Sequence, residues 1–389
     1  MKNSIIFIGN NKINGGLVLY AIKIIYIKTE DCKNRKQTMI NSSNSSKGVF
    51  YSSKGSSLLW TSPAIYNLCT AFSILEHSNE TILTSSRLMA LTLMLMQVLK
   101  PGDHGLVVDS VYYPMKEYCK TVLSGLNINI DFFDSRNEFN FKTLFRTNTK
   151  LVHLESPCSD TTEIQNIDEI CRYVKNRSTK CIISMDNSWA TFLIYKPLLH
   201  GVDISICNLN KHLTQWLNID ITSISSTRTV SYLFTKFKNL VDLTCNNFDV
   251  NTILNNLKSS IIRIWQNQNS IIKLCKYLYA MRYLCHVFCP ALPSSLDHEL
   301  WKKAYKLQNN IISFRLNKGS IEKHERFVAN LRDFKTKLCD DNTSTASVFV
   351  VKDRGFEPKQ TYPIIRLQIG SENIDHLMND LNLAFLTIR

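Results

Sequence analysis

From Tyr66 onward, short apolar runs alternate with longer amphipathic ones. Thr81–Leu83, Gly105–Val108, Ile128–Phe133, Leu151–Leu154, Cys181–Met185 and Val202–Cys207 are brief, apolar and bounded by polar or turn residues, which predicts buried strands. Between them Leu68–Leu75, Leu88–Leu99, Met115–Leu123 and Ile167–Lys175 carry helical spacing, and Pro101-Gly102 stops the second of these. Strand and helix in alternation predict an α/β fold with a mostly parallel sheet covered on both faces. Beyond Asp220 the pattern changes. Leu254–Tyr283, Trp301–Leu307, Glu322–Phe334 and Ile374–Phe385 read as helices, and only Ser347–Val351 and Ile364–Ile369 read as strands. The change predicts a large domain over residues 58–250 and a smaller α+β C-terminal domain over 251–389. Residues 1–57 read as a partly irregular arm, with a Ser- and Asn-rich loop in NSSNSSKG. Met1–Ile27 is apolar but broken by Asn10–Lys12, Gly15-Gly16 and Lys23. It therefore lacks the run of about 18 apolar residues that a membrane span needs, and no signal-peptide pattern is clear.

The chain has 389 residues and 44% hydrophobic content, enough for a large core. Its net charge of +14 raises a nucleic-acid surface as an option. The lysines are scattered, without an arginine-rich block or a stacking motif, so no nucleic-acid partner is expected. A basic mouth that draws in phosphate and carboxylate ligands accounts for the charge equally well. The 12 cysteines do not cluster, and there is no CxxC pair. Cys181, Cys207 and Cys285 sit inside apolar runs, where a thiol behaves as a small core residue. No metal site is expected, and reduced thiols fit a cytoplasmic protein with no membrane partner.

Chemistry enters where two of the predicted strands end. Cys181–Met185 runs into Asp186, and Val202–Cys207 delivers Lys211 a few residues later. Strand ends at one edge of an open α/β sheet line the ligand crevice. A lysine that forms a Schiff base and a carboxylate that keeps a pyridine nitrogen protonated are the two groups pyridoxal 5'-phosphate needs most.

The surrounding residues bear on that reading. KPGDH at 100–104, ESP at 155–157, DNSWAT at 186–191 and IRLQIG at 365–370 occur in this order. Together they resemble the cystathionine lyase and synthase family of Cys/Met metabolism (the trans-sulfuration enzymes), which use pyridoxal phosphate. The likeness runs from about Tyr66 to the C-terminus. Cys158-Ser159 after ESP, and the Trp in DNSWA, look like the cystathionine β-lyase branch. The resemblance implies the PLP-dependent aminotransferase-like fold (fold type I) and a carbon–sulfur β-lyase. Such an enzyme cleaves cystathionine to homocysteine, pyruvate and ammonia, or acts on cysteine-like substrates. It further implies that Lys211 carries the Schiff base and moves the α-proton, and that Asp186 pairs with the pyridinium. Tyr112 would stack on the ring at the catalytic centre, and Asn187 would bond near its phenolic oxygen. Arg366 would grip the substrate α-carboxylate, with Asn342 also near substrate. The expected partners are a small sulfur amino acid and further copies of the chain in a homodimer or homotetramer.

The cradle around those groups departs from the family. The family's Ser-Gly phosphate turn is Ser86-Arg87-Leu88 here. Arg87 could block the approach of the backbone, or its guanidinium could bind the phosphate itself. Asn208 and Asn210 stand where the family has hydroxyl residues before its lysine, and Gln215-Trp216-Leu217-Asn218 follows it. The family's Ser-x-Gly-Gly segment is Asn342-Thr343-Ser344-Thr345. Ser57 and Leu59 align with a Tyr and an Arg that a neighbouring subunit supplies, unless a shifted alignment offers Tyr51 and Lys54. These losses keep a second reading open, a non-catalytic relative that retains the fold.

Overall fold

The computed structural model describes residues 63–209, 219–238, 245–305, 307–317, 319–336, 343–356 and 362–388. A seven-stranded sheet is built from β1 (Glu80–Thr84), β2 (His104–Val108), β3 (Asn129–Phe133), β4 (Thr149–Glu155), β5 (Ile182–Asp186), β6 (Ile204–Asn208) and β7 (Thr222–Ser226). Their spatial order is β1-β7-β6-β5-β4-β2-β3. β2, β3, β4, β5 and β6 pair in parallel, while β7 runs antiparallel to both β6 and β1. The inner parallel strands are short and largely apolar because both of their faces are covered, whereas the edge strand β3 buries only Phe133. Leu106, Val108, Val152, Leu154, Ile183, Met185, Ile204 and Ile206 are all fully buried. Helices α1 (Pro63–Glu76), α2 (Arg87–Val98), α3 (Tyr113–Tyr118) and α4 (Ile167–Arg177) lie among these strands in sequence, and α3 continues into a π-helical turn over Cys119–Leu123. The chain leaves β2 to form β3 on one side and returns to form β4 on the other. That reversal opens a crevice beyond the carboxyl ends of β2 and β4, where ligands of such sheets bind.

The C-terminal part departs from the expected pattern. It holds a four-stranded antiparallel sheet of β8 (Leu284–Phe288), β9 (Ile311–Leu316), β10 (Thr345–Val351) and β11 (Tyr362–Gln368), in the order β10-β11-β9-β8. Two of its strands, β8 and β9, fall in stretches to which the sequence pattern assigns no element. Helix α5 (Asn247–Tyr279) runs through residue 251, the expected domain division. A second core forms between this sheet, α5, α6 (Ile321–Ala329) and α7 (Ile374–Thr387), with Phe314, Phe327 and Phe385 in mutual ring contact. No helix among the described residues is long and apolar enough to cross a membrane. The described cysteines are free. Burial pushes the Cys181 thiol up to about 12, so it is inert as a nucleophile at neutral pH.

Two described glycines, Gly102 and Gly201, adopt a left-handed backbone. Gly201 ends the turn Pro197–His200 at φ +90°, and a Cβ there would lie 3.1 Å from Cys171 Cβ in α4. Gly201→Ala is expected to cost about 1–2 kcal/mol from the left-handed conformation alone. A lowered urea midpoint with unchanged slope is the result to look for.

Candidate functional site

Two carboxylates meet at the carboxyl edge of the large sheet. Glu155 ends β4 and Asp186 ends β5, and the parallel register pairs them directly. Both are buried. Two neighbouring buried carboxylates need a cation or a proton. Arg87, the first residue of α2, supplies the cation. Its Nε donates to Asp186 Oδ2 at 2.7 Å, and its Nη2 donates to Glu155 Oε1 at 2.9 Å. Its Nη1 donates to Ser159 Oγ at 3.0 Å. The guanidinium carbon lies 4.2 Å from the centroid of the Tyr112 ring. A planar cation on an aromatic face is an attractive arrangement, more so when desolvated.

The remaining bonds complete the cluster. Tyr112 N donates to Glu155 Oε2 at 2.7 Å and Ser159 N to Glu155 Oε1 at 2.8 Å, and the Ser159 hydroxyl also donates to Glu155. Ser188 N donates to Asp186 Oδ1 at 2.9 Å. The charge is distributed unequally. Burial raises the Glu155 carboxyl above its usual range, Arg87 opposes this, and neighbouring Asp186 adds to it. Burial would also raise Asp186, but Arg87 and the Ser188 donors hold it below its usual range. Burial works against the Arg87 charge, and Asp186 and Glu155 more than offset it. Burial raises the Tyr112 phenol, which stays protonated at neutral pH.

The structure brings together Asp186, Tyr112 and Arg87, and Ser159 joins them to Arg366. Arg366, on β11, donates through Nη2 to the Ser159 carbonyl and to Asp160 Oδ1, both at 2.7 Å. Its guanidinium lies over Phe349, and its buried Nε has no partner. Ser86 caps α2, accepting from Met89 N at 3.1 Å, and Leu88 follows on the first turn, partly exposed. Asn208 sends its side-chain amide to Asp220 and Thr222, at 2.7 and 3.0 Å. Asn187 departs from expectation: its amide donates to the Tyr195 carbonyl at 2.9 Å and its Oδ1 is buried without a partner. Arg87 departs from both of its expected roles. Those roles are to block the backbone's approach to a phosphate or to bind the phosphate through the guanidinium; here the guanidinium is turned to the paired carboxylates. Lys211, Asn210, Asn342, Tyr51, Lys54, Ser57 and Leu59 lie outside the described residues.

Glu155 and Ser159 are the members that sequence reasoning did not assign a role. The available signal was ESP itself, since a carboxylate ending β4 must lie beside one ending β5.

For pyridoxal phosphate the donors are suitable: an aromatic face, a buried carboxylate and a helix N-terminus. The space is not. Arg87 covers the Tyr112 face turned toward Asp186 and takes the Asp186 oxygen. A flat pyridinium needs that same face and that same oxygen. With Arg87 so placed, the arrangement does not fit the cofactor.

Known proteins share this architecture. A family model described as Cys/Met metabolism PLP-dependent enzyme matches residues 29–386. The chain is 33% identical to a putative cystathionine beta-lyase of Rhizobium johnstonii, over 83% of each chain. It is 28% identical to an L-alanine/L-glutamate racemase of Wolbachia pipientis, over 83% of this chain and 80% of the relative. The fold matches the crystal structure of metB from Corynebacterium glutamicum with a TM-score of 0.77 and 19% identity, covering 84% of this chain and 86% of that one. A family match that takes in both sheets and every group at the crevice places this chain in the Cys/Met-metabolism family of pyridoxal-phosphate-dependent enzymes.

Proposed function

We propose that the chain is a carbon–sulfur lyase of the cystathionine β-lyase type, acting on cystathionine or on cysteine-like amino acids, with Arg87 displaced when the cofactor is bound. Pyridoxal phosphate, when bound, supplies the electron sink for cleavage beside an amino acid's α-carbon. The observation that carries this reading is Ser159. Its hydroxyl accepts from Arg87 and its carbonyl accepts from Arg366. One residue thus sets an amino acid's carboxylate anchor beside the aromatic face and the carboxylate of the crevice. The unpartnered Arg366 Nε leaves a donor for a carboxylate ligand, and an arginine fork suits such a group. Relatives named cystathionine beta-lyase, including one from Haemophilus influenzae that is 29% identical over 76% of each chain, support the substrate class.

The test is pyruvate released from cystathionine by purified protein in excess pyridoxal phosphate. Release is expected, and Arg366→Leu should cut kcat/KM by roughly 10²-fold, as the loss of a charged, hydrogen-bonded carboxylate contact does. Racemisation of alanine or glutamate without pyruvate would redirect the assignment.

A specific observation favours a second reading, a relative that keeps the fold without catalysis. Each end of the site already holds an internal ion pair: Arg87 with Asp186, and Arg366 Nη2 with Asp160. This reading expects no pyruvate at any cofactor concentration.

A further inference from the structure

We infer that Arg87 is an internal occupant of the cofactor crevice, a tethered cation that competes with the cofactor ring for the face of Tyr112 and the carboxylate of Asp186. The inference rests on the reading of this crevice as the cofactor site, which both functional readings share. Three features make Arg87 a strong competitor. It is placed by the first turn of α2, whose start is fixed by the Ser86 cap. It is buried, and all three of its donor nitrogens are bonded, to Asp186, Glu155 and Ser159. And it answers two carboxylates, whereas a pyridinium nitrogen carries one proton and answers one.

Displacing it leaves Glu155 with its Tyr112 and Ser159 donors but without a cation. The apparent affinity for the cofactor is its intrinsic affinity multiplied by the fraction of chains in which Arg87 has left, as for any ligand of a minor conformer. Glycine at this position removes the competitor and strands the carboxylate pair. A second change, Glu155→Gln, neutralises the surplus charge and keeps one acceptor oxygen, which can serve Tyr112 N or the Ser159 donors but not both.

The experiment is a titration of the full-length wild type, R87G and R87G/E155Q with pyridoxal phosphate. It is read by cofactor retained after gel filtration and by thermal midpoint. R87G/E155Q is expected to bind at least about tenfold more tightly than wild type. The midpoint of R87G should lie below that of wild type without cofactor and climb as cofactor is added, while the wild-type midpoint stays nearly flat. Wild type that binds as tightly as the variants overturns the competition and leaves the cofactor site intact. A folded R87G/E155Q that retains no cofactor overturns both the competition and the site. The wild-type arm needs no variant to fold, and pyruvate release, measured separately, bears only on the proposed activity.

Discussion

Arg354→Leu is expected to destabilise the protein by about 3–5 kcal/mol, the usual result of removing one partner from a buried ion network. Arg354 follows β10 and is buried against the large sheet. Its Nε donates to Asp109 Oδ2 at 3.0 Å, and its Nη2 donates to Glu163 Oε1 at 2.9 Å. Asp109, just past β2, also takes Lys116 Nζ at 2.6 Å and Gly355 N at 3.1 Å. Glu163 takes the Thr161 hydroxyl at 2.6 Å. The segment after β10 is therefore tied to the carboxyl edge of the large sheet by charge. Leucine would leave Asp109 to Lys116 and Glu163 to hydroxyl donors. A urea melt should show a lower midpoint. The acid limb should change too. Burial would raise the Glu163 carboxyl, but Arg354 and the hydroxyl donors depress it below the usual carboxylate range. Its contribution is complete above the unfolded value and is lost as pH falls through the lower folded value. That step should shrink in the variant. An unchanged midpoint and acid limb would show that the network contributes nothing to stability.

Glu76→Gln is expected to act in the opposite direction, and only at higher pH. Glu76 closes α1, is fully buried, and neither carboxyl oxygen meets a partner at bonding geometry. Burial pushes its carboxyl up to about 7, while the Ser205 hydroxyl and Lys196 lie near enough to pull it partly back. The folded state thus holds this proton more tightly than the unfolded chain. Glu76 makes no pH-dependent contribution below about 4.5, where both states are protonated. Stability is lost as pH rises from there to about 7, and the loss is constant above it. Glutamine does not titrate. The stability of the variant relative to wild type should increase by about 3 kcal/mol between pH 4 and pH 8. Parallel melts at the two pH values measure it, and a difference independent of pH would place the Glu76 carboxyl at an ordinary value.

Much of the large sheet was legible because its strands are short, apolar and covered on both faces. β7 was not. Its sequence is Thr-Ser-Ile-Ser-Ser, and hydroxyls disguise a fully buried strand. They are tolerated because they bond within the sheet, as Ser225 does with Thr81 at 2.9 Å and Ser223 with the Cys207 carbonyl at 3.3 Å. β8 goes unassigned just after the long helical pattern, because five residues give too short a period to read. In the site, Tyr112 came from the family resemblance, whereas Asp186 was readable as the residue that ends a strand. The partner of Arg87 was not, because a side chain's direction depends on which charges the fold buries next to it. Glu155 beside Asp186 becomes a demand for positive charge only once β4 and β5 are in register.

That demand reaches beyond ligand binding. A version of this protein with glycine at residue 87 would draw part of its resistance to unfolding from a vitamin-derived molecule, and would weaken whenever that nutrient ran short. An arginine carried on the chain itself is present at the same strength in every copy from synthesis onward. The positive charge that these two buried carboxylates require is thereby supplied without the vitamin.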